Sequence, residues 1–236
     1  MVDISKSRKP GWKLLLIAAL LLLIAWLILL FSRGAAEKNF QPELYLEQSL
    51  AQTFQADSYG FRCRSVLYVG EEQRVFSLLE GQKASQETRH VKGSLLGTPV
   101  DIYLLERVLY QRDPLDGSWR KIEDIDSAAA TLLLNELDPA SNYHFIQLGE
   151  TTYWGKEKLN GSLCRKIEFH PSLEDKWIER YFEQLTYVVW IDAKRPYLAK
   201  VQISGFSKEN PDSRLIIEHE FFDFNKKIEL VAPVVN

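Results

Sequence analysis

Few residues of this 236-residue chain have the types and spacing that catalysis or metal binding requires. Its four histidines are scattered along the sequence, at His90, His144, His170 and His219. His219 and Glu220 begin like a zinc-protease motif, but Asp223 stands where the second histidine ligand belongs. The sequence contains no phosphate-binding loop, dinucleotide-binding fingerprint or nucleophile elbow. We therefore expect a protein that is not an enzyme and that needs neither a metal ion nor a cofactor.

Two cysteines, Cys63 and Cys164, are the remaining candidates for covalent chemistry. Each lies in a segment of alternating apolar residues, and 100 residues separate the two. Outside the cytoplasm such a pair can form a disulfide, which is the bond that we predict here. The alternative is that both are small buried residues that never meet.

One apolar segment, Leu14–Phe31, runs for 18 residues without a charge. As a helix it would be about 27 Å long, which is close to the ~30 Å core of a bilayer. Four basic residues precede it, namely Lys6, Arg8, Lys9 and Lys13. The positive-inside rule then leaves the N-terminus in the cytoplasm and the rest of the chain outside. A cleaved signal peptide is the alternative, although the apolar core of such a peptide is usually shorter.

These features predict a single-pass protein of the inner or plasma membrane with an uncleaved signal-anchor. The predicted segments are a basic cytoplasmic N-terminus at 1–13, a transmembrane helix at 14–32, a linker at 33–41 and an extracytoplasmic domain at 42–236. Residues 1–33 carry a net charge of +4, and the remaining residues carry −7. We expect no nucleic-acid partner, because such binding depends on basic residues that neutralise phosphates.

The hydrophobic pattern after the linker begins as a helix and then changes to strands. Leu46, Leu50 and Phe54 recur every four residues, which predicts a helix over 42–54. From Tyr59 onwards the apolar residues alternate, as in half-buried strands. Similar strand patterns occur at 74–80, 87–92, 100–105, 107–111, 119–122, 143–148, 151–158, 162–169, 186–192, 198–205 and 214–222. A second, largely apolar helix is predicted over 126–137.

The pattern of strand ends and turns in the C-terminal third resembles the lipoprotein-carrier superfamily. The segments that carry the likeness are Thr186–Asp192, Leu198–Gly205 and Glu220–Asn225, together with Val91–Gly93 nearer the N-terminus. The superfamily includes LolA-like carriers, periplasmic regulators and glycolipid-binding lipoproteins. The resemblance covers most of residues 43–233 and rests on no catalytic signature.

The resemblance implies an α+β, mainly β fold: a curved antiparallel sheet of about eleven strands that forms an incomplete barrel plugged by helices. Acyl chains or apolar protein segments would bind between the sheet and the helices. A tethered chain cannot shuttle across a periplasm as soluble carriers do. The resemblance therefore favours lipid handling, sensing or assembly in the cell envelope over carriage in the strict sense.

Alternation along the strands predicts which side chains would line such a cavity. The predicted wall consists of Phe61, Leu67, Val69, Tyr187, Val189, Ile191, Val201, Ile203, Leu215, Ile217 and Phe221, with Leu133 on the plugging helix. The alternative is that these residues fill a compact core. In that case the domain would be a protein-interaction or regulatory module of a membrane complex. Our first hypothesis is that the domain binds a lipid or a lipoprotein acyl chain, with an envelope protein as a further possible partner.

Overall fold

A computed structural model of the protein describes residues 40–122, 138–174 and 177–235. The chain divides into two compact units, Met1–Gln41 and Pro42–Asn236, and nearly all the described residues belong to the second. The predicted cytoplasmic segment 1–13, the predicted transmembrane helix 14–32 and the predicted helix 126–137 lie outside these ranges. Within the ranges, no helix is both long enough and apolar enough to cross a bilayer.

The second unit is built on one antiparallel sheet of eleven strands, in the order β6-β5-β4-β3-β2-β1-β13-β12-β11-β9-β8. A separate two-stranded sheet pairs β10 with β7. The strands are β1 (Tyr59–Val69), β2 (Glu72–Ser85), β3 (Thr88–Leu95), β4 (Thr98–Leu105), β5 (Val108–Arg112), β6 (Trp119–Ile122), β7 (Phe145–Gln147), β8 (Thr151–Leu159), β9 (Ser162–Phe169), β10 (Ser172–Leu173), β11 (Phe182–Asp192), β12 (Leu198–Ser207) and β13 (Ser213–Phe222). The helices are α1 (Pro42–Gln55), α2 (Trp177–Tyr181) and a 3₁₀ helix (Pro139–Tyr143).

The large sheet does not close on itself. Its edge strands in the described part of the chain, β6 and β8, pair with only one neighbour each. The centre of the sheet is the pairing of β1 with β13, the first and last strands of the chain. The expected large, open antiparallel sheet is therefore confirmed, and the described residues contribute eleven strands to it, against about eleven expected.

The register of the ladder defines one face of the sheet, which we call the inner face. Phe61 pairs with Phe221, His219 with Val201, and Val201 with Val189, so these residues all lie on it. Helix α1 packs against the same face through the buried side chains of its apolar stripe, which include Leu46 and Leu50. Because the inner face is covered by α1, it forms the core of the unit.

Two polar contacts fix α1 in its position. The hydroxyl of Thr53 accepts a hydrogen bond of 2.9 Å from the backbone N–H of Leu198, where β12 begins. At the end of the helix, the ammonium of the buried Lys83 donates to the carbonyl oxygens of Phe54 and Ala56, at 3.0 and 3.1 Å. The last carbonyls of a helix lack partners within the helix, and a cation is favoured there. A buried lysine on β2 therefore joins the sheet to the helix.

Aromatic side chains fill much of the inner face between α1 and strands β9, β11 and β13. The ring centroids of Phe54 and Tyr143 are 4.8 Å apart, and those of Tyr187 and Phe169 are 5.2 Å apart. Phe221 makes an edge-to-face contact with Phe54 at 5.9 Å. Aromatic pairs at such distances bury large apolar areas and add specific stabilisation. This half of the inner face is a packed core.

Each predicted strand overlaps a strand of the structure, although β2 runs on to Ser85, β11 begins at Phe182 and β10 is not among the predicted strands. The segment 143–148 was predicted as one strand, but residues up to Tyr143 belong to the 3₁₀ helix and only Phe145–Gln147 is extended. Residues Trp177–Tyr181, for which no strand is predicted, form the short helix α2. The turn at Asn160–Gly161 has φ angles of +48° and +84°, as a tight hairpin of this sequence requires.

The predicted disulfide between Cys63 and Cys164 is wrong, because both are free thiols. Three strands lie between β1 and β9 in the sheet, which places the two residues about 19 Å apart along it at ~4.8 Å per strand. A disulfide needs Cα atoms within about 7 Å. The register also places Cys63 on the inner face and Cys164 on the opposite, outer face. Sequence alternation alone does not relate the faces of two distant strands.

We predict that thiol labelling distinguishes the two cysteines. Cys164 is fully buried and its burial raises the pKa of the thiol, so it should resist a maleimide in the native state. Cys63 is half-buried and should react. Denatured, unreduced protein should give two thiols per chain. A count of zero would contradict the structure.

Gly93 provides a test of the sheet geometry. It has a φ of +146°, and a Cβ atom there would lie 2.0 Å from the carbonyl oxygen of Leu78. We predict that Gly93→Ala lowers the free energy of unfolding by about 2–4 kcal/mol, through backbone strain and steric overlap. Gly97 has a φ of +78° but no atom within 4 Å of a Cβ, so Gly97→Ala should cost less. Denaturant unfolding measures both, and equal losses would contradict this account.

Candidate functional site

The candidate site is an apolar cavity of about 420 Å³ on the part of the inner face that α1 leaves open. Its floor comes from β1, β2 and β13, and its walls come from the end of β3, the 3₁₀ helix and the start of β11. The described residues that line it are Cys63, Ser65, Phe76, Ser77, Leu79, Leu95, Leu96, Pro139, Asn142, Phe182, Leu215, Ile217 and His219. A volume of this size lies in the range of small-molecule sites, about 300–1,000 Å³.

The cavity exists because small side chains meet at the centre of the sheet. The register pairs Ser65 with Ser77 across β1 and β2, and Ser65 with Ile217 across β1 and β13. Cys63 is the next inner-face residue of β1. Three small side chains leave space that larger ones fill elsewhere on the inner face. The hydroxyl of Ser77 donates to that of Ser65 at 2.9 Å, so the two serines partner each other.

The mouth of the cavity is also apolar. Leu96 has a φ of +50° in the turn after β3, and its side chain is 68% exposed. Phe182, at the start of β11, adds a further apolar side chain to the lining. An exposed leucine beside an apolar cavity is unfavourable in water and suits an entrance that meets apolar material. The lining of the site is thus mostly apolar, although it includes the polar side chains of Ser65, Ser77, Asn142 and His219.

His219 is a deeply buried polar group in this wall. It is 1% exposed, and its Nδ1 atom lies 2.6 Å from the hydroxyl of Tyr143. Its Nε2 atom is buried and has no hydrogen-bond partner. Burial lowers the pKa of His219 to about 4, a shift that the charge of Asp138 opposes. Burial also raises the pKa of Tyr143 well above its usual value, so both groups are neutral near pH 7.

The structure brings few of the predicted wall residues together at the cavity. Leu215 and Ile217 line it. Leu67 and Val69 are half-buried farther along β1, and Leu133 lies outside the described residues. The other predicted wall residues are buried on the inner face, away from the described lining of the cavity: Phe61, Tyr187, Val189, Ile191, Val201, Ile203 and Phe221.

Sequence reasoning missed Ser65, Ser77 and His219. The alternation of β1 placed Ser65 on the same face as Phe61, but the search for an apolar wall passed over its small polar side chain. Ser77 was harder to find, because Phe76 forms a bulge in β2 and shifts the register there. His219 alternates with Ile217 and Phe221, so the sequence indicates that its side chain lies on the inner face. The sequence does not indicate that Tyr143 is its hydrogen-bond partner.

Arg62, Arg64 and Arg165 are not among the described residues that line the cavity. Arg62 and Arg64 point to the outer face, where Arg62 contacts Glu80 at 3.4 Å and Arg64 contacts Glu218 at 3.8 Å. Arg165 lies on the inner face and donates to the hydroxyl of Tyr45 of α1 at 3.1 Å. The arginines of β1 therefore belong to a solvated ladder of paired charges. In the described ranges, no three His, Cys, Asp or Glu side chains are grouped to hold a metal ion.

Comparison with solved structures identifies similar folds. Lipoprotein LppX of Mycobacterium tuberculosis matches with 14% sequence identity and a TM-score of 0.51, over 79% of this chain and 96% of LppX. LprF from Mycobacterium bovis matches with 12% identity and the same TM-score, over 81% of this chain and 96% of LprF. The fold is LolA-like.

A LolA superfamily protein from Nitrosomonas europaea also matches, with 12% identity and a TM-score of 0.35, over 81% of this chain and 96% of that protein. No model of a protein family matches the chain, and no curated protein matches it significantly. At these identities the matches to LppX and LprF establish the fold of the domain and not its ligand.

The buried state of His219 predicts a loss of stability in mild acid. An unfolded histidine binds its proton near pH 6.5, whereas folded His219 binds one only near pH 4. The unfolded state therefore gains protons first, and the free energy of unfolding should fall as the pH drops from about 6.5 to 4. This one group contributes up to about 3 kcal/mol of that fall.

Urea unfolding at several pH values measures this contribution. His219→Gln should remove it, because glutamine does not titrate, while the exposed His144→Gln serves as a matched control and should retain it. A His219→Gln profile that parallels the wild type from pH 6.5 to 4 would rule out the buried neutral imidazole.

Proposed function

We propose that this protein is a non-enzymatic, single-pass membrane protein whose extracytoplasmic domain binds one apolar chain, from a lipid or a lipoprotein, in the cavity of its open barrel. The observation that carries the proposal is the cavity of about 420 Å³ lined by Phe76, Leu79, Leu215 and Ile217. Exposed apolar surface is unfavourable in water, so covering this lining with an apolar group is favourable. An acyl chain matches the apolar chemistry of this lining.

The position of the cavity supports the same proposal. It lies between the sheet and the segments that cover it, which is where the LolA-like fold leaves room for an apolar ligand. The apolar segment Leu14–Phe31 would hold the domain beside a bilayer, so that an acyl chain has a short path from membrane to cavity. The envelope location and the role in lipid or lipoprotein handling belong to this proposal.

A second candidate is a protein-interaction or regulatory domain with the same fold. The packed aromatic half of the inner face favours it, because there the predicted wall residues have become core. In such a domain the remaining cavity would receive an apolar side chain of an envelope protein. The two candidates differ in whether a free lipid enters the cavity.

Photolabelling of the full chain in phosphatidylcholine vesicles tests the proposal. The probe is a fatty acyl methyl ester that carries a diazirine at the end of its chain, and labelled peptides are identified by mass spectrometry. We predict labelling of cavity residues of β1, β2 and β13 in the wild type. Ser65→Phe should reduce it at least fivefold, because the ring fills the cavity without removing any packed side chain.

Ser204→Phe is the matched control, since Ser204 lies on the outer face and pairs with Ile216. It should label like the wild type. Labelling of peptides that lie outside residues 42–236 provides an internal reference for the amount of probe in each sample. If the wild-type cavity is not labelled, or if Ser65→Phe is labelled as strongly as Ser204→Phe, the lipid-binding proposal fails and the interaction module is favoured.

A further inference from the structure

The described wall of the cavity contains a buried hydrogen-bonding atom that the folded chain leaves without a partner. Nε2 of His219 is buried and makes no hydrogen bond, although the ring forms part of the cavity wall. The serine hydroxyls in the same wall, by contrast, bond to each other. An unsatisfied buried polar group costs about 1–3 kcal/mol. Since the atom is screened from bulk water, a group that enters through the cavity is suited to satisfy it.

The contact with Tyr143 decides whether this atom donates or accepts. The Tyr143 hydroxyl lies 2.6 Å from Nδ1, and its own proton needs an acceptor. Donation from the hydroxyl to Nδ1 satisfies both atoms at once. A neutral imidazole with an accepting Nδ1 carries its proton on Nε2. His219 therefore carries a buried N–H donor at the wall of the cavity, and the complement of this donor is a hydrogen-bond acceptor.

The charge of the site narrows the choice of acceptor. None of the described lining residues is a lysine, an arginine, an aspartate or a glutamate. A carboxylate in this wall would lose its hydration without gaining a cation, which is costly. A carbonyl oxygen of an ester is uncharged and accepts one hydrogen bond at little desolvation cost.

Building on the proposed function, we infer that the cavity selects a neutral acyl ester, and that His219 is the specificity-determining residue that donates a hydrogen bond from Nε2 to the ester carbonyl. The acyl chain then lies along Leu215, Ile217 and Leu79. Tyr143 is a positioning residue, because its hydroxyl fixes the tautomer of the imidazole. Acylglycerols and acylated lipoproteins share this ester chemistry.

Three photoreactive probes of equal chain length test the inference in vesicles with the full chain: the diazirine methyl ester, the corresponding fatty acid and the corresponding alkane. Cavity labelling is divided by the amount of each probe in the vesicles. The wild type should prefer the ester over the alkane by about 3–10-fold, the value of one hydrogen bond. The fatty acid should label no better than the alkane.

His219→Phe should bring the ester-to-alkane ratio to about one while alkane labelling persists, which shows that the cavity is intact. His219→Gln should restore the preference, because its amide can accept from Tyr143 and donate toward the cavity. Tyr143→Phe should lower the ratio, since the tautomer is no longer fixed, and it decides the matter if His219→Phe loses alkane labelling through misfolding.

The outcomes separate this inference from the proposed function. Equal labelling by ester and alkane in the wild type overturns the role of His219 but leaves an apolar-chain cavity in place. A full ester preference in His219→Phe has the same effect. Stronger labelling by the fatty acid than by the ester overturns the selection of a neutral ligand. Absence of cavity labelling by all three probes overturns the proposed function itself.

Discussion

The pairing of β1 with β13 is the interaction on which the rest of the domain depends. These strands are the first and last of the sheet in sequence, yet they pair without a register shift from Gly60–Phe222 to Val69–Ser213. Every other strand of the large sheet is added outward from this pair. A shift by one residue would exchange the inner and outer faces of one half of the sheet relative to the other half. The register of this strand pair therefore determines which residues form the core, which residues line the cavity and which charged residues lie on the outer face.

Side-chain volume then divides the inner face into two functional parts. In one part, aromatic residues such as Phe169, Tyr187 and Phe221 pack against neighbouring rings, including Phe54 of α1, and form a core. On β1 and β2 the paired residues Ser65 and Ser77 are too small to reach the opposite wall. Protein interiors are close-packed, so a gap of several hundred Å³ is a specific feature and not a general looseness of the core. One sheet thus combines a part whose inner face is packed with a part whose inner face holds a cavity.

Two buried polar side chains on the inner face have different roles. Lys83 donates to two carbonyl oxygens at the end of α1 and so stabilises the packed half. His219 contacts Tyr143 through one ring nitrogen and leaves the other without a partner at the cavity. A fully partnered polar group stabilises a fold, whereas a half-partnered one is more easily explained by a ligand. The contrast within one face is the reason for assigning specificity to the histidine.

Local patterns in the sequence were sufficient for the elements and the general architecture. Alternation of apolar residues located nearly all the strands, and the four-residue repeat located α1, because both depend on neighbouring positions in the chain. The inner face of each clear strand followed from the same alternation. The sequence also determined the apolar segment before the domain, whose length and flanking charges define its expected topology.

The tertiary structure alone decided what the inner face contains. Alternation predicted that Val189, Val201 and Leu215 point inward, but only the long-range register shows that two of them are core and one faces a cavity. The disulfide prediction failed for the same reason, since Cys63 and Cys164 are read as equivalent along the chain but lie on opposite faces of the sheet. Register between strands far apart in sequence, and the packing of α1 and Tyr143 against them, depend on contacts that no local pattern encodes.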